Sequence, residues 1–122
     1  MILIDTDVLI EMIKGHVEPP REPLAITTIT LYEFLRGAKD VGAAAEILER
    51  DFVILQETPQ SIRISARIWQ DLKKEGNIVA DADIIIAGIS IANKVPIWTN
   101  NRKHFQQFER YGLKLYDPTR RL

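Results

Sequence analysis

The chain has 122 residues, 46% of them apolar, with 16 Lys and Arg against 17 Asp and Glu, 6 Gly, 6 Pro, 2 His and no Cys. That length supports one domain, burying roughly two thirds of its unfolded surface in a single core. The lack of Cys excludes disulfides, thiolate nucleophiles and sulfur-built metal sites. His16 and His104 are too far apart in sequence for an imidazole-rich site, so any metal must sit on oxygen. The most apolar stretch, Ala82 to Ala92, contains Asp83 and Ser90 and falls short of the roughly 18 residues that cross a bilayer. The opening MILIDTD has no basic n-region and does not read as a signal peptide. The expectation is an uncrosslinked cytoplasmic domain with no membrane span.

Charge is unevenly spread. Residues 1–93 carry 9 basic and 15 acidic side chains, whereas residues 94–122 carry 7 and 2. The C-terminal quarter is therefore suited to face a polyanion, although a solvated tail ending in Arg120 and Arg121 accounts for the same excess.

Short apolar runs of strand length alternate with helical patterns. Ile2 to Ile4 is the first strand and Thr6 to Lys14 the first helix; prolines at 19, 20 and 23 then interrupt regular structure. Leu24 to Thr27 is the second strand, Ile29 to Ala38 a helix, Val41 to Glu49 another, and Phe52 to Leu55 the third strand. Thr58-Pro59 opens a helix by a cap and a first-turn proline, and it runs to Glu75 before Gly76-Asn77. On a wheel, Ile62, Ile64, Ala66, Ile68, Trp69 and Leu72 of this helix cover an arc of about 200°, wider than packing on its own core requires. Part of that arc is free to meet another chain, and burial between sheet and helices is the equal alternative. Asp81 to Asn93 is too long and too uniformly apolar for a strand and reads as a buried helix with an acidic first turn. Val95 to Trp98 is the fourth strand, Arg102 to Arg110 a short helix, and Leu113 to Tyr116 a weaker fifth strand. The pattern predicts an α/β fold: a mostly parallel five-stranded sheet flanked by helices and joined by right-handed crossovers.

In an open parallel sheet the usual site lies beyond the carboxyl ends of the strands. Those ends are acidic here. The first strand runs into Asp5, the second is followed by Thr27-Thr28 and then Glu33, the buried helix opens with Asp81 and Asp83, and the fourth strand ends in Thr99-Asn100-Asn101. Taken singly, each has a capping explanation: Asp5 on the first helix, Thr30 with Glu33 as a capping box, Asp81 and Asp83 at a helix dipole, Asn100 or Asn101 before the next helix. For Asp7 and Asp81 that reading is kept. Jointly, Asp5, Glu33 and Asp83 come from three elements to one sheet edge, where close carboxylates repel unless a cation holds them. A donor set of hard oxygens favours Mg²⁺ or Mn²⁺, and such an ion assists phosphodiester hydrolysis.

At ILIDTDVLIEMIKG, TTITLYEFLRGA and DADIIIAGISIANKVPIWTNNRKHF the sequence resembles the PIN-domain family, and within it the VapC-like toxins of bacterial and archaeal toxin–antitoxin pairs. The resemblance covers nearly the whole chain, with three motifs in order. It implies a Rossmann-like three-layer fold, a Mg²⁺- or Mn²⁺-dependent endoribonuclease acting on tRNA, rRNA or mRNA, a homodimer, and an antitoxin that covers the active site. Asp5, Glu33 and Asp83 match the family's metal-holding acids, and Asn101 falls at its fourth position, where many relatives have Asp. Asn keeps an oxygen acceptor but loses a charge, which weakens any second metal there. Thr6 and Thr99 match small hydroxyl residues that support the site. Asp7 stands where Asn is common. Arg102, Lys103 and His104 follow the site-proximal turn, placed either to contact RNA phosphates or simply to be solvated.

Competing readings rest on fewer residues. Asp5-Thr6-Asp7 fits the D-x-D of haloacid-dehalogenase-like phosphatases, but the usual following Gly-Thr is absent and the length leaves no cap domain. A receiver domain lacks its acceptor Asp, since the third strand ends in Leu55-Gln56-Glu57. A non-catalytic PIN scaffold that binds RNA or a partner gains nothing from three unmetallated carboxylates facing a polyanion.

Overall fold

Ile2, Leu3 and Ile4 are all 1% exposed or less, as befits a strand covered on both faces, where an unbroken apolar run replaces alternation. This strand, β1 (Ile2–Ile4), is central in the computed structural model, which describes residues 1–119. With β2 (Leu24–Thr27), β3 (Val53–Leu55) and β4 (Ile97–Trp98) it forms one parallel sheet in the order β3-β2-β1-β4. Register pairs Leu3 with Ala25 on one side and with Ile97 on the other. Arg120 and Arg121 lie outside the described residues.

The helices are α1 (Thr6–Ile13), α2 (Thr28–Leu35), α3 (Val41–Asp51), α4 (Pro59–Lys74), α5 (Asp81–Asn93) and α6 (Arg102–Gln106), followed by a 3₁₀ turn, Glu109–Tyr111. Strand side chains alternate between two cores. Leu3, Ala25 and Ile97 pack with Ile68 and Leu72 of α4, Ile84 of α5, and Phe105 and Phe108. Ile2, Ile4, Ile26 and Trp98 pack with Val8 and Leu9 of α1 and Leu48 of α3. Three layers result, as expected.

The expected fifth strand is not formed, so the sheet has four strands. Leu113 to Tyr116 contributes an isolated bridge from Leu115 to Ile97, in which Ile97 N donates to Lys114 O (2.9 Å) and Tyr116 N to Ile97 O (2.8 Å). Its partner is too short to support a ladder. Val95 is drawn out of β4 because its N–H donates back to Ser90 O (3.2 Å) across the left-handed Lys94 (φ +54°), and Pro96 has no N–H to give. The expected helix to Arg110 stops at Gln106, and the 3₁₀ turn then leads into Gly112 at φ +103°.

Helices α4 and α5 cross closely. Ser65 Oγ donates to Ile84 O (2.9 Å), and a Cβ added at Gly88 would stand 2.1 Å from Ser65 Oγ and 2.6 Å from Ser61 O. Backbone cannot yield as a flexible side chain does, so Gly88→Ala is expected to destabilise the fold by about 1–3 kcal/mol. Urea denaturation checks this, and an unchanged midpoint would show that the crossing is slack.

Candidate active site

The chain lays down β1, β2 and β3 in one direction and returns to the free edge of β1 with β4. The topological switch point therefore falls between the carboxyl ends of β1 and β4, where doubly wound sheets open a crevice. Asp5 and Thr99 stand there. Asp5 N donates to Trp98 O (3.0 Å), prolonging the sheet by one bond, and Thr99 Oγ1 donates to Asp5 Oδ2 (2.8 Å). The other oxygen, Oδ1, accepts from Thr6 N at the head of α1 (2.9 Å), so the capping expectation for Asp5 holds. Thr99 Oγ1 also accepts from Asn101 N (3.0 Å), which ties the polar turn to the same hydroxyl.

Asp5 is 8% exposed, and burial pushes its carboxyl up to about 6, against the bonds from Thr99 and Thr6. The charges of Asp7 and Asp83 push it in the same direction. Asp7 is itself raised, chiefly by burial. Its Oδ1 accepts from Val8 N (2.7 Å) and its Oδ2 from Asn100 N (3.2 Å). Asp7 thus stands as an acid in the first turn of α1, which Asp5 caps, and also pins the turn after β4.

Glu33 does not close the expected capping box with Thr30. Strand β2 ends in extended backbone at Thr27, so the helix starts early and Thr27 Oγ1 takes the cap, accepting from Thr30 N (3.1 Å). Glu33 is left free to reach α1, where Thr6 Oγ1 donates to Glu33 Oε1 (2.9 Å) and lies 3.2 Å from Thr30 Oγ1. Glu33 is therefore linked to the residue next to Asp5. Asp83, in the first turn of α5, has Oδ2 2.9 Å from His104 Nε2. Asp81 is exposed on the same turn. Asn101 heads α6 without a side-chain cap, contrary to the capping expectation. Arg102 Nη1 donates to Tyr116 O (2.7 Å), and Lys103 is exposed beside it. Sequence reading missed the turn of His104 toward Asp83; 21 residues separate the two, and no local pattern reports such a contact.

As they stand, no three His, Asp or Glu side chains among the described residues are gathered tightly enough to hold an ion together. Hydrogen bonds to Thr6 and His104 retain Glu33 and Asp83 separately. The donor chemistry nevertheless fits a hard divalent cation: a buried carboxyl with raised proton affinity, the Asp7 and Asp83 charges acting on it, and no Cys.

No family model matches the chain. It is 36% identical over 118 residues to Ribonuclease VapC1 of Methanocaldococcus jannaschii, covering 95% of this chain and 87% of that protein. The chain belongs to the VapC family. Ribonuclease VapC3 of the same organism is 29% identical over 97 residues, covering 71% of this chain and 95% of that one. Among solved structures, VapBC-1 from nontypeable Haemophilus influenzae matches with a TM-score of 0.82 at 24% identity, over 98% of this VapC chain and 100% of that one. DNA-bound VapBC from Salmonella typhimurium matches at 0.76 and 28% identity, over 95% and 96%. The PIN fold is thereby shared along nearly the whole length. No described helix is long and apolar enough to cross a membrane.

An acid whose folded pKa lies above its unfolded value favours folding when protonated, so the Asp5 contribution worsens as pH rises from about 4 to about 6. Without metal, Asp5→Asn is expected to be more stable than the parent by about 2–3 kcal/mol near neutral pH, with the gap closing near pH 4. Urea denaturation in chelator at both pH values checks this; a variant weaker at neutral pH contradicts the assigned burial cost.

Proposed function

We propose that this VapC-family chain is a metal-dependent endoribonuclease that hydrolyses RNA phosphodiester bonds as the toxin of a toxin–antitoxin pair. The observation that carries the reading is Asp5: a buried carboxyl at the switch point, raised to about 6, with the Asp83 charge beside it. Support comes also from relatives named as ribonucleases and from structural neighbours that are VapBC complexes.

Asp5, Asp83 and Glu33 would hold Mg²⁺ or Mn²⁺, with the Asn101 amide as a weaker, uncharged donor. Once bound, such an ion lowers the pKa of water and neutralises charge that builds on phosphoryl oxygens. The chain supplies orientation. Bonds from Thr6 N and Thr99 Oγ1 fix both Asp5 oxygens, and Thr6 Oγ1 retains Glu33 within reach of α1. Lys103, exposed at the start of α6, offers a cation to the RNA backbone, while the Tyr116 carbonyl holds one nitrogen of Arg102. No side chain serves as a covalent nucleophile. The absence of Cys suits a reducing, cytoplasmic setting. The cognate antitoxin would silence the enzyme by covering these acids.

Purified protein incubated with total RNA is expected to cleave it with Mg²⁺, to stop in chelator and to recover with Mn²⁺. Asp83→Ala and Asp5→Asn should lose at least about a hundredfold of that activity while keeping their circular dichroism. Cleavage that survives in chelator, or in Asp83→Ala, overturns the site. Mapping of cut ends separates tRNA, rRNA and mRNA as substrates.

The homodimer is part of the same proposal. Ile62 and Trp69 of α4 are each 44% exposed and Ile78 is 97% exposed, which leaves part of the wide apolar arc uncovered. Light scattering is expected to give twice the monomer mass, and Trp69→Glu to halve it. A monomeric parent chain removes the dimer.

A further inference from the structure

Asp83 is more open to solvent than Asp5: its side chain is 34% exposed, whereas Asp5 is 8% exposed as a residue. A carboxylate at the first turn of a helix is free to rotate unless something holds it, and a ligand that must be ordered on binding costs affinity. The contacts around His104 show what holds it. Asn77, in the turn between α4 and α5, donates from Nδ2 to Gln107 Oε1 (2.9 Å). That bond agrees with the orientation of the Gln107 amide set by the His104 carbonyl, which can only accept and so turns Nε2 toward His104. There Nε2 donates to His104 O (2.7 Å) and lies 3.4 Å from His104 Nδ1.

A donor facing Nδ1 fits a lone pair at that nitrogen, the arrangement of a neutral ring that carries its proton at Nε2. Nε2 in turn lies 2.9 Å from Asp83 Oδ2, where an Nε2–H donates to it. The ring is also clamped edge-on by Phe105 (centroids 5.3 Å apart) and Phe108 (6.0 Å), both fully buried. The links from Asn77 through Gln107 and His104 run in one direction and reach the Asp83 carboxylate, with the His104 carbonyl as a second acceptor from Gln107.

We infer that His104 is a positioning residue for Asp83, its tautomer set by Gln107 and Asn77, and that it commits Asp83 Oδ2 to the imidazole while leaving Oδ1 for a cation. This role rests on the metal site proposed above. Partners of this kind typically matter about 10- to 100-fold in metal affinity, because they orient a ligand and raise its basicity. The arrangement links the α4–α5 turn to the candidate metal site through side chains alone.

Two measurements test it. The first is the long-range proton–nitrogen spectrum of the two imidazoles in metal-free protein, recorded at about pH 8.5. His104 is expected as the Nε2–H tautomer, and Gln107→Leu is expected to mix the tautomers. An Nδ1–H ring in the parent overturns the inference. The second is calorimetric titration with Mn²⁺ of the parent, Asp83→Asn, His104→Ala, His104→Gln and Gln107→Leu. His104→Ala should bind about tenfold more weakly, and His104→Gln, whose amide restores a donor, should recover most of the loss.

Unchanged affinity in His104→Ala overturns the inference while leaving the metal site standing, provided that Asp83→Asn binds poorly. A parent chain that binds no Mn²⁺, or an Asp83→Asn that binds as the parent does, overturns the metal site and this role with it. Should His104→Ala fail to fold, Gln107→Leu decides: parental tautomer and parental affinity together refute the inference.

Discussion

The structure turns on a carboxylate that is costly to bury. Asp5 continues the most deeply buried strand, at a point where β1 has neighbours on both sides, and only two hydrogen bonds offset its loss of water. Burial unsupported by a cation leaves the group with a pKa near 6, well above that of an ordinary aspartate. A purely structural role would be better served by Asn or Ser at this helix cap, without the desolvation cost. A burial cost of this kind at a strand end, in the crevice of a parallel sheet, is the physical support for the function proposed for Asp5.

Around that carboxylate, the other groups are each held by a neighbour. Thr99 reaches Asp5 and receives the turn amide of Asn101; Asp7 receives that of Asn100; Thr6 retains Glu33. Asp83 depends on the placement of α5, which in turn depends on how closely α4 can approach at Gly88, where the Ser61 backbone and Ser65 leave no room for a side chain. Packing some distance from the acids thus decides where one of them stands.

Much of this was readable from residue order, for definite reasons. Unbroken Ile-Leu-Ile and the thirteen-residue apolar helix from Asp81 are signals of burial, and Asp5 falls directly at a strand end, where a parallel sheet opens its crevice. Three features were not readable. Leu113 to Tyr116 has the composition of a strand, but its pairing is limited by the two-residue length of β4, a property of its partner. Thr30 with Glu33 has the spacing of a capping box, yet Thr27 starts the helix earlier, since a strand end in extended backbone makes the better cap. The His104 contact depends on how α6 docks against α5, which no periodicity records.

The bond between Thr99 and Asp5 spans 94 positions of the chain. During synthesis the carboxylate emerges well before the hydroxyl that orients it and the strand that encloses it. Parallel sheets have no hairpins to pair as they appear, so this end of the molecule is assembled late. A nascent chain thus carries Asp5 before the groups that orient and enclose it have emerged.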